Sequence, residues 1–232
     1  EDEVLSLEEL RTRYKTVFAK DASKNNKYLN LPINEINLLD TNELLGKMIV
    51  GKSDTPIGRF IEYLNSSDWV KLGVEYAKKV DGKCPYCQRE LPLNIQEDIE
   101  AYFDKTYEEN KSALSEYEKK YKLMIDKIKK IIQDIEQNKY VYIDYTEFDN
   151  KKILLLSKLE KNQQIIKSKL ESLSKVVEIE SVNVIASDLN KIIDQFNIRI
   201  EQNNELVKNQ KQEKEIFKNQ LWNFLVLQRR EE

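Results

Sequence analysis

Histidine is absent from all 232 residues of this chain. That removes the commonest general base, the commonest metal ligand and every Ser-His or Cys-His nucleophile pair. Glycine and proline are scarce, at 5 and 4 residues, and none of either lies beyond Pro92. Few tight turns and no glycine-rich loops are therefore available, which favours long helices. No apolar run approaches the length of a bilayer span, and the start lacks a basic-then-apolar leader. Two cysteines and no leader indicate a reducing, cytoplasmic setting with no membrane contact. The net charge of -3 gives no global pull toward nucleic acid. The chain opens on Glu1 rather than Met, which reads as a fragment excised from a longer protein.

What is present is charge, at 34% of residues, laid out in helical register. We expect a mainly α fold: an elongated antiparallel coiled coil with a small N-terminal helical subdomain. The boundary is set near residue 95, giving a subdomain over 1–95 and an arm over 96–232. In the first part, Ser6 and Glu9 form a capping box, Thr55 caps a helix with Pro56 in its first turn, and Ser67 is a plausible N-cap. In the second, Asn94 and Glu97 spell a similar start, and a continuous helix is expected from Gln96 to about Asn138. Its stripe of Leu114, Tyr117, Tyr121, Met124, Ile128, Ile131 and Ile135 alternates steps of three and four, the spacing of a coiled-coil seam. Further stripes run through Leu156, Leu159, Ile166, Leu170, Leu173 and Val177, and from Ser187 as N-cap through Leu189, Ile192, Phe196, Asn203, Leu206, Phe217, Leu221 and Phe224. Asn203 and Gln210 weaken the last seam. A compact three-helix bundle is the alternative to long arms. "YVYIDYTEF" (140–148) and "VNVI" (182–185) are rich in β-branched or aromatic residues, so two short β-strands are possible there.

Residues 46–53, "GKMIVGKS", match a phosphate-loop pattern, with Gly46, Gly51, Lys52 and Ser53 in place. The context does not suit it. No hydrophobic strand precedes it, bulky residues fill the loop, and Pro56 puts the helix start too late for its N–H groups to face a phosphate. We expect no nucleotide here. In "SEYEKKYKLMIDKIKK" (115–130) lysines interleave with Tyr117 and Tyr121. A nucleic-acid track is one reading; the solvated face of a coiled coil, with the tyrosines in the seam, is the plainer one.

The stretch with chemistry is "DGKCPYCQRELP", carrying Cys84 and Cys87. Two thiolates spaced in this way can grip one zinc ion from a single turn, and Gly82 and Pro85 suit a tight knuckle. Zinc takes four ligands, whereas this chain offers two cysteines and no histidine. A closed site then needs the Cys pair of a second chain, giving one ion shared in a homodimer. C-P-Y-C also spells a glutaredoxin site, which requires a strand before the first cysteine and a helix beginning at the motif. Inert thiols are the third reading. No catalytic residue and no nucleotide-binding residue is assigned.

"LSLEELRTRYKTVFAKD", "ELLGKMIVGKSDTPI", "LNSSDWVKLGVEYAKKVDGKCPYCQRELP" and "IEAYFDKTYEE" together resemble the central insert of a family of bacterial AAA/ABC-type ATPases. That family includes the anticodon nucleases of the RloC and PrrC kind, which act in phage defence. The resemblance implies an insert between the two flanking halves of an ATPase head, with a zinc-hook-like role for Cys84 and Cys87. This chain carries no credible Walker A, no "LSGG" signature, no Walker B and no nuclease histidine. The resemblance therefore implies neither ATPase nor nuclease activity for this stretch, but an arm that links protomers and relays motion. A nucleic-acid-positioning arm built on the Lys-rich helix is the alternative.

Overall fold

The structure is a computed structural model and describes residues 5–18, 24–80, 83–84 and 87–231. Among these the chain is mainly helical and no strand forms. The helices are α1 (Leu7–Val17), α2 (Ile33–Leu39), α3 (Pro56–Tyr63), α4 (Ser67–Lys79), α5 (Leu93–Tyr102), α6 (Lys105–Gln137), α7 (Thr146–Glu171), α8 (Asn183–Lys208) and α9 (Gln210–Glu231).

Several helix starts follow the local code. The Ser6 N–H donates to Glu9 Oε2 at 2.8 Å while the Glu9 N–H donates back to Ser6 Oγ at 3.3 Å, a complete capping box for α1. Thr55 Oγ1 accepts the Gly58 N–H at 3.0 Å, and Pro56 occupies the first turn of α3. Other starts move. The cap of α4 is Ser66, and Ser67 lies inside the helix. Pro92 precedes α5, so Asn94 and Glu97 sit within its first turns instead of framing them. The helix containing Ser187 begins at Asn183, five residues earlier than a Ser187 cap suggests. The continuous helix expected from Gln96 breaks at Phe103–Asp104. There Asp104 Oδ1 accepts the Tyr107 N–H at 2.9 Å and caps α6 afresh, while the Tyr102 carbonyl accepts the Lys52 N–H, also at 2.9 Å. A tertiary bond takes the carbonyl that would have continued the helix.

Neither candidate strand forms. In 140–145 the chain turns: Tyr140 and Tyr142 stack with planes 4° apart, and Asp144 Oδ1 accepts both the N–H and the hydroxyl of Thr146 at the start of α7. Residues 182–185 open α8, with the Val182 N–H given to Asp40 Oδ1 at 3.1 Å. β-Branched composition alone cannot make a strand without a neighbouring edge to pair with.

The chain divides by packing into two compact units, each built from separated segments. One comprises residues 1–31, 129–153 and 185–232; the other comprises 32–128 and 154–184. Helices α6, α7 and α8 each contribute to both.

In the first unit α1 packs on α9. Tyr14, Phe18 and Phe217 cluster with ring centroids 4.8–5.8 Å apart, and the Arg13 guanidinium pairs with Glu213. The end of α6 and the start of α7 lie antiparallel, joined by the Lys139–Asp149 and Lys152–Glu136 ion pairs. Tyr28, Tyr145, Phe148 and Phe196 form the aromatic core. The two tyrosine hydroxyls make an ordered chain. Tyr28 donates to the Asn138 carbonyl at 2.5 Å, so the 2.7 Å bond between the two hydroxyls is donated by Tyr145. The Tyr145 oxygen in turn accepts the Tyr140 N–H at 2.9 Å. Burial pushes the Tyr28 hydroxyl pKa up, and the neighbouring Tyr145 adds to the effect.

Beside this core an extended segment, 24–31, is held on α8 by three asparagines. Asn190 Oδ1 accepts the Leu31 N–H at 2.7 Å and its amide donates to the Leu31 carbonyl at 3.0 Å. Asn197 does the same for Tyr28 at 2.7 and 3.0 Å, and Asn204 for Asn25 at 2.8 and 2.9 Å. Six backbone groups that lack a sheet partner are satisfied by side chains.

In the second unit the seam of α6 is buried: Leu114 and Ile128 are 0% exposed, Tyr121 1% and Met124 2%. Fully burying a side chain of this size contributes about 1.5–3 kcal/mol. Asn162 of α7 is also buried, donating to Tyr121 Oη at 3.0 Å and to the Glu180 carbonyl at 2.7 Å. Asp40 after α2 accepts from Ser181 Oγ at 2.6 Å and from Asn183 Nδ2 at 2.8 Å.

Candidate functional site

The two cysteines lie between α4 and α5, at the tip of a short hairpin. Lys83 and Glu90 form an antiparallel bridge, and inside it the Cys84 N–H donates to the Arg89 carbonyl at 2.8 Å. The Gln88 N–H donates to the Cys84 carbonyl at 2.9 Å, and Gln88 adopts a left-handed φ of 59°. One residue in that region reverses the chain immediately after the second cysteine. The result is a closed knuckle with Cys84 half-buried and Cys87 exposed, and neither sulfur is in a disulfide. Gly82 and Pro85, which the sequence offers as knuckle formers, lie outside the described residues.

Among the described residues no helix begins at either cysteine: α4 ends at Lys79 and α5 starts at Leu93. The helix N-terminus that depresses a redox thiol's pKa is therefore missing from the motif. The donor set suits a thiophilic ion: two soft ligands on one turn, held by backbone hydrogen bonds rather than by the metal itself. Among the described residues no group of three or more His, Cys, Asp or Glu side chains gathers to hold a metal. The knuckle is a pair of free thiols.

Beside the knuckle α3, α4 and α5 enclose an apolar groove of about 740 Å³, and Cys84 is one of its lining residues. Phe60 from α3, Trp69, Leu72 and Tyr76 from α4, and Ile95 and Ile99 from α5 form its walls. Phe60 and Trp69 remain 61% and 59% exposed, so this is open apolar surface rather than core. The signal was present in "SDWVKLGVEYAKK": Trp69, Leu72 and Tyr76 recur at steps of three and four, which places them on one face of α4.

"GKMIVGKS" forms a strap without a flanking strand, and no helix starts until Pro56. The Val177 N–H donates to the Leu45 carbonyl at 2.9 Å, the Ile49 N–H to the Leu173 carbonyl at 3.0 Å, and the Lys52 Nζ lies 3.3 Å from Asp104. The Tyr107 amide, with Lys52 adding to it, holds the Asp104 carboxyl pKa below its ordinary value. Gly51 is required by packing: a side chain there would collide with the Tyr102 backbone and ring. Gly46 meets nothing closer than 3.8 Å. The four residues of the phosphate pattern do not build a cradle.

The strap is anchored by Lys169, which is 0% exposed. Its ammonium donates to the Lys47 carbonyl at 2.6 Å, to the Leu173 carbonyl at 2.7 Å and to the Lys175 carbonyl. Burial lowers the Lys169 pKa, opposed by the charge of Asp68. A lysine in a helical run reads as solvent-facing from sequence, and no local signal marks this one.

On the Lys-rich helix both tyrosines turn inward. Tyr117 donates to the Leu39 carbonyl at 2.7 Å, and Tyr121 is held by Asn162. Their rings are seam residues, as the three-four spacing indicates, and offer no stacking platform for bases. Lys120 pairs with Glu116 at 3.0 Å and Lys127 with Glu35.

Fold and site together define a mainly helical module that presents a two-cysteine knuckle on a hairpin between helices. The chain belongs to the AAA domain family, whose model matches residues 1–232, and so is related to AAA-type ATPases. No curated protein and no solved structure matches it. Among the described residues no helix is long and apolar enough to cross a membrane.

Proposed function

We propose that this chain is a non-catalytic coiled-coil insert of an AAA-type ATPase of the anticodon-nuclease kind. In this reading it links two protomers through one zinc ion and relays motion to the flanking ATPase halves. The observation that carries it is the knuckle. Cys84 and Cys87 stand on a preformed turn that supplies two thiolates, half of what a tetrahedral zinc takes. A second copy supplies the other two. Thiolate ligation favours a reducing compartment, hence the cytoplasm.

The buried three-four seam of α6 supports the coiled-coil part of this reading. The strap 46–53 is committed to packing, which supports a reading in which the ATPase chemistry belongs to the flanking halves.

The test is metal content alongside sedimentation across a concentration series. We expect one zinc per two chains and a dimer that chelator separates while helicity is kept, since the seams bury their own apolar residues. Cys84→Ser and Cys87→Ser should each behave like chelated protein. A dimer indifferent to chelator and to both substitutions would reject the clamp.

A further inference from the structure

We infer that the apolar groove between α3, α4 and α5 is a self-docking surface: a second copy of this chain covers it, groove against groove. The inference rests on the shared-zinc reading and extends it from two sulfurs to the surface around them.

The argument is geometric. In a tetrahedral all-thiolate site with zinc–sulfur bonds of about 2.3 Å, sulfurs from the two chains lie only about 4 Å apart. Cys84 lines the groove. Whatever walls surround that sulfur are then brought to its counterpart in the partner copy, and they cannot stay fully hydrated. Two copies sharing one ion through identical ligand pairs are related by a two-fold axis, so the same patch meets itself. The groove suits this role chemically. Its walls are Phe60, Trp69, Leu72 and Tyr76, the aromatic and aliphatic side chains that anchor interfaces when their desolvation is completed by a partner. The charged lining residues are one cation and one anion, Lys78 and Glu100, so a self-facing pair carries no net like-charge repulsion. Size points the same way. A stable interface buries about 800 Å² per partner, far more than two knuckles offer alone.

Trp69 gives a direct readout, because the chain has only one other tryptophan, Trp222 on α9. In a Trp222→Phe background, zinc titration should shift Trp69 emission to the blue as the dimer forms in sedimentation. Leu72→Asp should weaken the dimer at least ten-fold, while Leu72→Met retains it. Circular dichroism verifies that both variants stay helical. Cobalt reports the ligands separately: thiolate charge-transfer bands and tetrahedral d–d bands should persist in Leu72→Asp at high protein concentration. A metal-bridged dimer with four-thiolate cobalt spectra, unshifted Trp69 and no response to Leu72→Asp would overturn the groove while leaving the zinc clamp standing. A metal-independent dimer that buries Trp69 and fails on Leu72→Asp would support the groove and reject the clamp. A chain monomeric with and without metal would reject both.

Discussion

Replacing Lys169 by methionine removes an ammonium but keeps the length and apolar stem of the side chain. Three carbonyl oxygens lose a donor: those of Lys47, Leu173 and Lys175. Hydrogen bonds from a charged group contribute about 1.5–3 kcal/mol each. Against this stands relief of burying the charge, an effective penalty of several kcal/mol for an ion taken wholly out of water. These two contributions largely offset. What remains is the cost of stranded acceptors. Leu173 is spared, because its carbonyl still accepts the Ile49 N–H at 3.0 Å. The Lys47 and Lys175 oxygens are left; both bonds are only partly buried, so each costs near the low end of the about 1–3 kcal/mol of an unsatisfied acceptor. The expected loss is therefore about 2 kcal/mol, read by equilibrium urea unfolding followed through helicity. The loss should be local first. The Ile49 and Val177 amides, which pin the strap, should lose hydrogen-exchange protection before the α6 seam does. A loss under about 1 kcal/mol, with those amides still protected, would refute the view that Lys169 anchors the strap.

Asn197→Ala should leave the Tyr28 N–H and carbonyl without partners inside the aromatic core. We expect about 2–3 kcal/mol of destabilisation in urea, and a larger effect than Asn204→Ala near the less enclosed end of the segment. In alkali, Tyr28, Tyr107 and Tyr117 all hold their protons beyond the ordinary range because burial disfavours the phenolate. The unfolded chain loses these protons first, near pH 10. Their contribution is thus intact below pH 10 and is lost as pH rises toward the raised folded values. Absorbance at the phenolate band should show a group of tyrosines titrating only with unfolding; a smooth titration of all twelve near pH 10 in folded protein would contradict their burial.

The seam of α6 was legible because every residue from Leu114 to Ile135 at three-four spacing is indeed buried. Ser6 with Glu9, and Thr55 with Pro56, were legible because a cap is decided within four residues. The misplaced starts share a different cause. At Asp104 and Asn183 the helix boundary depends on Lys52 and Asp40, partners distant in sequence. Asn162 and Lys169 are buried polar residues that each reach an acceptor far off in sequence, Tyr121 and the Lys47 carbonyl, so local periodicity reads them as surface. The boundary near residue 95 marks where proline and glycine run out, a property separate from the division by packing. The Cys-x-x-Cys knuckle could be read because its turn is local. The groove beside it required the packing of three helices.

The asparagine ladder imposes a kind of gearing. Asn190, Asn197 and Asn204 are seven residues apart, a rise of about 10.5 Å on a helix. Leu31, Tyr28 and Asn25 are three apart, about 10 Å of extended chain. Each step of seven residues on one element matches a step of three on the other, and each asparagine contacts main chain alone. The ladder itself therefore does not depend on side-chain identity in 24–31, whereas it does depend on segment length. Deleting one residue would put all later contacts out of phase at once. The segment is metered by length, and a substitution within it is tolerated where an insertion or a deletion is not.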